Sequence, residues 1–325
     1  MTQRRNLLKA AGVLALPALP YSGATRAQGA YPNRPVRLVV PFGAGGATDI
    51  IARLVSQKLT ELWGQSVVVD YKPGAGTVLG TDFVAKSAPD GYTLGMVITA
   101  HVINPSLRPT MPYDTLRDLS GVSLVAISHI LLAATPGLEA NNLRELIALA
   151  KSRPLSYATP GTGTAMHLAG ELFKTQTGLD LTHVPYRGGA AAYPDVIAGR
   201  VPLIFDPMFA SMGHVRAGKL KAIAITSAER AASNPEIGTF AEAVPGFDVK
   251  SISGIVAPSA TPREIVRKVS ADVGRVLAMA DVKSRMAEVG MEPSPATPEA
   301  FDAFIRREIE RWAPVVRASG AKAAD

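Results

Sequence analysis

Residues 36–59 read VRLVVPFGAGGATDIIARLVSQKL, and the order of patterns within them decides the fold. Val36–Val40 is a short apolar, β-branched run, the composition of a buried strand. Pro41-Phe42-Gly43-Ala44-Gly45-Gly46 ends it with residues that suit a turn. Ile50, Ile51, Leu54 and Leu62 then recur at helical spacing. Strand, glycine-rich turn and helix form one unit, and the unit repeats. Ser66–Tyr71 reads as a strand, Pro73-Gly74-Ala75-Gly76 as its turn, and a helix follows to about Ser87. Pro89-Asp90-Gly91 is a turn, and Tyr92–Thr99 is the next strand.

A second series begins with a helix at Leu143–Ser152 and a strand at Leu155–Thr159. Pro160-Gly161-Thr162-Gly163-Thr164 is its turn, and Met166–Thr177 the helix that follows. Leu181–Pro185, the turn Arg187-Gly188-Gly189 and the helix Ala190–Ala198 repeat the pattern, and Val201–Phe205 and Leu220–Thr226 add strands. This alternation predicts an α/β fold of mostly parallel sheets flanked by helices. Two series predict two lobes. The last part differs: Phe247–Ala257 is strand-like, and Thr261-Pro262-Arg263-Glu264 reads as a capping box. Thr297-Pro298 opens a helix with Phe301, Phe304, Ile305, Ile309 and Trp312 on one face. These terminal helices are expected to pack on the first lobe, so the chain crosses between lobes near 125–132 and 248–256. The expected division is 30–128 with 254–325 as one lobe and 129–253 as the other.

Residues 1–27 carry the mark of a cleaved export signal. A basic start leads into the apolar Leu7–Leu19, too short for a permanent span, and then to a small-residue cleavage site at Thr25-Arg26-Ala27. Arg4-Arg5-Asn6-Leu7-Leu8-Lys9 fits the twin-arginine pattern; an ordinary Sec signal is the alternative. The chain has no cysteine, which rules out disulfides, thiolate catalysis and a lipid anchor. A soluble periplasmic protein is expected. The net charge of +7 suggests a polyanion partner only at first sight. Arg4, Arg5, Lys9 and Arg26 account for the excess, leaving 30 basic residues against 27 acidic ones. With no basic run and no interleaved aromatics, nucleic acid is not an expected partner.

Four glycine-rich turns join strands to helices. In an open parallel sheet such turns lie at the carboxyl ends of the strands, where ligands bind. The helix that follows offers free N–H groups and a positive dipole end, which favour an anion. A single turn of this kind is more often structural; four behind an export signal shift the balance towards binding. The turns at 42–48 and 161–164 start helices in different lobes, so each can hold one carboxylate. Asp49 stands at a helix start, where an acid normally caps N–H groups. Asp206 follows the apolar Leu203-Ile204-Phe205 and either touches the ligand or caps a turn.

Rival motifs fail. Gly213–Lys219 has P-loop spacing, but Leu220 stands where Ser or Thr should hold magnesium, and a strand follows in place of a helix. Gly74-Ala75-Gly76 has Gly80 where the Rossmann spacing needs a glycine at 79. His167 and Glu171 share a helix face, yet two ligands are weak evidence of a metal, and His101, His129, His183 and His214 are scattered. There is no G-x-S-x-G elbow. No catalytic set, cofactor or metal site emerges, and an enzyme is not expected.

Several longer motifs resemble one family. They are Pro41-Phe42 with Gly45-Gly46-Ala47-Thr48-Asp49, Pro73-Gly74-Ala75-Gly76, and Pro89-Asp90-Gly91-Tyr92-Thr93-Leu94. His167-Leu168-Ala169-Gly170-Glu171-Leu172-Phe173, His183-Val184-Pro185-Tyr186-Arg187-Gly188 and Gly218-Lys219-Leu220-Lys221-Ala222 continue them. From about Tyr31 to Gly320 the chain resembles the Bug family, the TctC-like periplasmic receptors of tripartite tricarboxylate transport systems. The resemblance implies a Venus-flytrap fold of the periplasmic-binding-protein type, type II-like. It implies a monomer that passes its ligand to membrane permease subunits. It also implies a carboxylate held by backbone amides of the 42–49 and 160–164 loops, with Asp206 lining the pocket. The family's ligands span di- and tricarboxylates, aromatic carboxylates and acidic amino acids. The combined reading places Phe42, Ala44, Gly45, Gly46, Ala47, Thr48 and Asp49 on one side of the ligand. Gly161, Thr162, Gly163, Thr164, Tyr186 and Asp206 lie on the other. A ligand-binding sensor subunit feeding a membrane kinase is the alternative function. The chain departs from the family pattern at Gly43-Ala44, at Thr77 in place of a usual glycine, and around Ile252, where an aromatic is common.

Overall fold

The first unit forms as read: β1 (Val36–Val40) runs into α1 (Ala47–Trp63) through the glycine turn. A computed structural model describes residues 31–323, apart from Gly45, Gly46, Arg187 and the side chain of Ala47. The export-signal reading of residues 1–27 falls outside the described residues. β2 (Val67–Tyr71), α2 (Val78–Ala85), β3 (Thr93–Ile98) and α3 (Ala100–Leu107) follow. β4 (Leu119–Ala134) is far longer than any other strand described. The second series comprises α4 (Leu143–Ser152), β5 (Leu155–Thr159), α5 (Ala165–Thr177), β6 (Leu181–Pro185), α6 (Gly189–Ile197), β7 (Leu203–Pro207), α7 (Met208–Arg216) and β8 (Lys221–Ile225). β9 (Lys250–Pro258), α8 (Arg263–Ala278), α9 (Ala280–Glu288), β10 (Glu292–Pro293) and α10 (Pro298–Ser319) complete it.

Strand order is β2-β1-β3-β9-β4-β7-β5-β6, with β8 and β10 also paired to β4. β1 pairs parallel with β2 and β3, while β9 lies antiparallel between β3 and β4. β5, β6 and β7 are parallel to one another, and β4 runs antiparallel to β7 and β8. Each sheet is therefore mostly parallel in direction, with β9 and the two-residue β10 reversed in the first and β4 reversed in the second. The α/β fold expected from the sequence is present.

β4 joins the sheets. Residues Leu119–His129 pair with β9 in the first sheet, and Ile130–Ala134 pair with β7 in the second. Alternation carries through the second sheet. Leu131, Ala133, Ala158 and Ile204 bury one face against Ala192 and Val196 of α6 and Met208 and Met212 of α7. Ile130, Leu132, Tyr157, Leu203 and Phe205 bury the other against Leu143 and Leu146 of α4 and Leu168 and Phe173 of α5. Successive side chains on a strand point to opposite faces, so a strand covered by helices on both sides must be apolar throughout.

Two of the terminal helix starts behave differently. The Thr297 hydroxyl accepts the Ala300 N–H at 3.2 Å, capping α10 as expected. Thr261 does not cap α8: its hydroxyl is buried with no partner among the described residues. α10 lies against α3 and β4 and also reaches α5, so it bears on both sheets. Its Phe301 ring sits over two glycines. A Cβ at Gly254 of β9 would stand 2.3 Å from Phe301, and one at Gly121 of β4 2.8 Å from it. The ring takes the space that two side chains would fill. His101, on α3, is buried with neither ring nitrogen bonded to a described residue, and burial pushes its pKa down to about 4.

Gly254→Ala should cost about 1–3 kcal/mol, because the Phe301 ring has nowhere to go; the denaturant midpoint should fall with the slope unchanged. His101 has its own signature. Its folded pKa lies below the ordinary 6.5, so the stability tied to the neutral ring is whole above pH 6.5 and is lost as pH falls towards about 4. Each such group contributes about 1.4 kcal/mol per pH unit in that window. His101→Leu should flatten the acid-side fall in stability by one proton and raise stability at pH 7, as read by melts from pH 7 to 4.5.

Candidate functional site

A cavity of about 510 Å³ opens between the carboxyl ends of the two sets of strands. One wall comes from Thr48 of α1, Gly76 and Thr77 before α2, Ile98–Ala100, and Asn104, Leu107 and Arg108 of α3 and its end. The floor is Ala126–Ser128 of β4 and Ser251–Ser253 of β9. The opposite wall is Pro160, Thr162–Met166, Pro207 and Phe209.

The 160–164 turn is the best-built part. Thr164 caps α5: its hydroxyl accepts the His167 N–H at 3.2 Å and donates to the Gly161 carbonyl at 2.7 Å. The Gly163 N–H donates to His167 Nδ1 at 3.1 Å. Gly163 needs to be glycine twice over. Its φ of 76° lies in the left-handed region, and a Cβ there would stand 2.6 Å from Leu107 Cδ2 on the opposite wall. The first turn of α5 contains no acid. Ala165 and Met166, its first two residues, line the cavity, and N–H groups at those positions have no intrahelical acceptor. This end of α5 is a cradle for an anion.

Behind the turn, His167 and His183 stack with centroids 3.9 Å apart. Burial lowers the pKa of both, and the neighbouring ring and Lys174 push His183 further, to about 3. The lowered pKa keeps His167 neutral at neutral pH, which leaves Nδ1 free to accept from Gly163. Tyr157 donates to Glu171 at 2.5 Å, and Lys174 pairs with the same carboxylate at 3.0 Å. These buried groups hold the turn in shape. His167 and Glu171 were the possible metal pair; among the described residues no group of three or more His, Cys, Asp or Glu could hold a metal ion.

The two aspartates expected near the ligand have partners of their own. Asp49, in the first turn of α1, accepts from Tyr71 at 2.5 Å and from Arg53 Nε at 3.1 Å. Asp206 accepts from Tyr193 at 2.5 Å and Ser211 at 3.2 Å, and burial pushes its pKa up to about 6 against the pull of those donors. A Cβ at Gly189 would stand 2.4 Å from Asp206 Oδ1, so this carboxyl lies at the start of α6. Each acid is held by side-chain donors of the protein itself.

Of the residues expected from the sequence, Thr48, Thr162, Gly163 and Thr164 line the cavity. Phe42, Ala44, Asp49, Gly161, Tyr186 and Asp206 are not in its wall; Tyr186 instead donates to Asp195 at 2.6 Å. Gly45, Gly46 and the Ala47 side chain lie outside the described residues. The sequence reading missed the contribution of α3 and β4. Arg108, Asn104 and Ser128 lie in no recognisable motif, and only the approach of α3 and the floor strands brings them together. Thr77, a departure from the family pattern, has φ 82° and lines the cavity, as does Ile252. The Asn104 side chain donates to the Gly76 carbonyl at 2.9 Å and to Thr77 Oγ1 at 3.4 Å, clamping that left-handed turn. A left-handed threonine costs energy, and such residues concentrate at functional sites.

Ser227, His129 and Glu292 form a chain of contacts at 2.8 and 3.2 Å that resembles a hydrolase triad. Ser227 is wholly buried and donates to the Glu229 carbonyl at 2.9 Å, so it presents no nucleophile to a substrate. The three tie β4, β10 and the end of β8 together.

The family model described as tripartite tricarboxylate transporter family receptor matches residues 51–321. Protein BugT of Bordetella pertussis is 38% identical over 297 residues, which cover 90% of this chain and 91% of that protein. A solved structure from R. palustris with adipate is 36% identical, has a TM-score of 0.77, and is matched over 90% of this chain and 99% of its own. MatC from Rhodopseudomonas palustris with bound malate is 32% identical with a TM-score of 0.73, over 88% and 100% of the two chains. The periplasmic binding protein BugD is 33% identical with a TM-score of 0.73, over 90% and 99%.

His167→Leu removes the acceptor of the Gly163 N–H without opening the core. Hydrogen exchange at Gly163 should quicken about tenfold, the size expected for one lost hydrogen bond. In the unsubstituted protein, exchange corrected for its intrinsic pH dependence should stay level from pH 8 to 6.5, since His167 resists protonation.

Proposed function

Because this chain belongs to the family of tripartite tricarboxylate transporter receptors, which are solute-binding proteins and not enzymes, we propose that it captures a small carboxylate in the periplasm and presents it to membrane permease subunits. The observation that carries this reading is the cavity with the acid-free N-terminus of α5 in its wall. Relatives solved with adipate and with malate agree with it. An anion loses its water on entering, and unpaired N–H groups at a helix start replace that water.

The two lobes of this reading are residues 30–128 with 254–325, and 129–253. The change of sheet between His129 and Ile130 supports the first boundary. β9 already pairs in the first sheet at Lys250, which favours a return four residues earlier. Thr48 and Thr162–Thr164 are the ligand-contacting residues we assign from the two sides. Cleavage after Ala27 and export follow from the family's periplasmic site of action and from the pattern of residues 1–27.

A melting-temperature screen of residues 28–325, stripped of bound solute by unfolding and refolding, tests the reading. Saturation at about 100 times the dissociation constant adds about 2.7 kcal/mol, enough to raise the midpoint by several degrees. A shift with at least one di-, tri- or aromatic carboxylate or acidic amino acid is expected. No shift across the whole panel would defeat the assignment.

A further inference from the structure

We infer that the cavity selects carboxylates by what they carry besides the acid group: Arg108 is its charged anchor, and the ligand is an acid with an apolar body and no ammonium group. The inference rests on the receptor reading and narrows it.

Among the described lining residues, Arg108 is the one charged side chain. Its side chain makes no ion pair or hydrogen bond to any described residue, and its Nε is buried without a partner. Gly76 gives the guanidinium its room: a Cβ there would meet Nη2 at 3.0 Å. A buried donor left unpaired is costly, and a guanidinium matches a carboxylate with two parallel hydrogen bonds. A second group points the same way. Ser128 on the floor is 3% exposed, and its hydroxyl has no partner among the described residues. Two unsatisfied buried polar groups on residues that line one cavity mark a place suited to a ligand's polar atoms.

The rest of the wall sets the class. Ile98, Leu107, Ile127, Met166, Ile252 and Met291 surround these groups with apolar surface. No aspartate or glutamate lines the cavity among the described residues. Asp49, Asp206 and Glu292 have partners of their own: Asp49 has Tyr71 and Arg53, Asp206 has Tyr193 and Ser211, and Glu292 has His129. The ammonium of aspartate or glutamate would lose its water and gain no counter-charge. A third carboxylate, as in citrate, would press against aliphatic side chains. One guanidinium and one helix N-terminus suit one or two carboxylates on an aryl or alkyl skeleton.

Titration calorimetry of the stripped protein against benzoate, phenylacetate, adipate, aspartate, glutamate and citrate decides the matter. At least one of the first three should bind about 100-fold more tightly than any of the last three. Arg108→Met should weaken that ligand by about 30- to 100-fold while leaving the ligand-free melting temperature in place. Arg108→Lys, which keeps the charge but not the fork, should fall between. Tightest binding of aspartate, glutamate or citrate would overturn the inference while leaving the receptor reading intact. So would unchanged affinity in Arg108→Met. Binding of none of the six would defeat this inference, and the receptor reading with it if the wider carboxylate panel also failed.

Discussion

A single strand hydrogen-bonded into two sheets holds this molecule together. β4 spends Leu119–His129 beside β9 and Ile130–Ala134 between β7 and β8. Every buried backbone N–H and C=O needs a partner, so a strand passing from one sheet to another must find new neighbours without a gap. The passage is made with two irregularities beside β9 and one beside β8, where the register slips. His129, bonded to Ser227 and Glu292, marks the point of change. The cavity lies over this passage, with Ala126–Ser128 as part of its floor. A ligand there lies against the strand that is hydrogen-bonded into both sheets.

The walls meet across the cavity in two places where glycine permits it. Gly163 accepts Leu107 across the cavity, and Gly290, next to the lining Met291, accepts Phe209, whose Cβ would stand 2.2 Å from a Cβ on that glycine. Both glycines have positive φ, 76° and 63°. A left-handed residue without a side chain lets one wall's backbone rest on the other wall's apolar side chain. The cavity is thus bounded by apolar contacts that need no polar group to be desolvated, while its polar groups remain for the ligand.

Charge is handled with the same economy. Buried carboxylates near the starts of α1 and α6 are matched by tyrosine hydroxyls. The start of α5 has no such acid and is shaped by two histidines that burial keeps neutral. A protonated pair there would add positive charge but would withdraw the acceptor that positions Gly163. Neutral rings sacrifice attraction for geometry. Arg108 supplies the fixed charge from the opposite wall instead.

The repeating strand–turn–helix units were legible because local pattern is enough for them. β5 and β6 match their sequence reading residue for residue, and α4 does too. Periodicity of apolar residues is a property of neighbours in the chain, and helices and strands answer to it directly. The turn at 160–164 was legible for the same reason, since glycine, threonine and a following helix are adjacent in sequence. β4 was foreseen only as a crossing, because its length depends on partners far later in the chain, from Leu203 opposite Ala134 to Pro258 opposite Leu119. The roles of Asp49 and Asp206 depended on Tyr71 and Tyr193, which no local pattern ties to them. Arg108 and Ser128 had no sequence signal at all, being ordinary residues outside any motif. By itself, then, the sequence determined the layered α/β architecture, the glycine cradles and the family. Only the tertiary structure decided which cradle stays open and which side chains share its cavity. Those depend on distances between segments remote in the chain, and packing alone sets them.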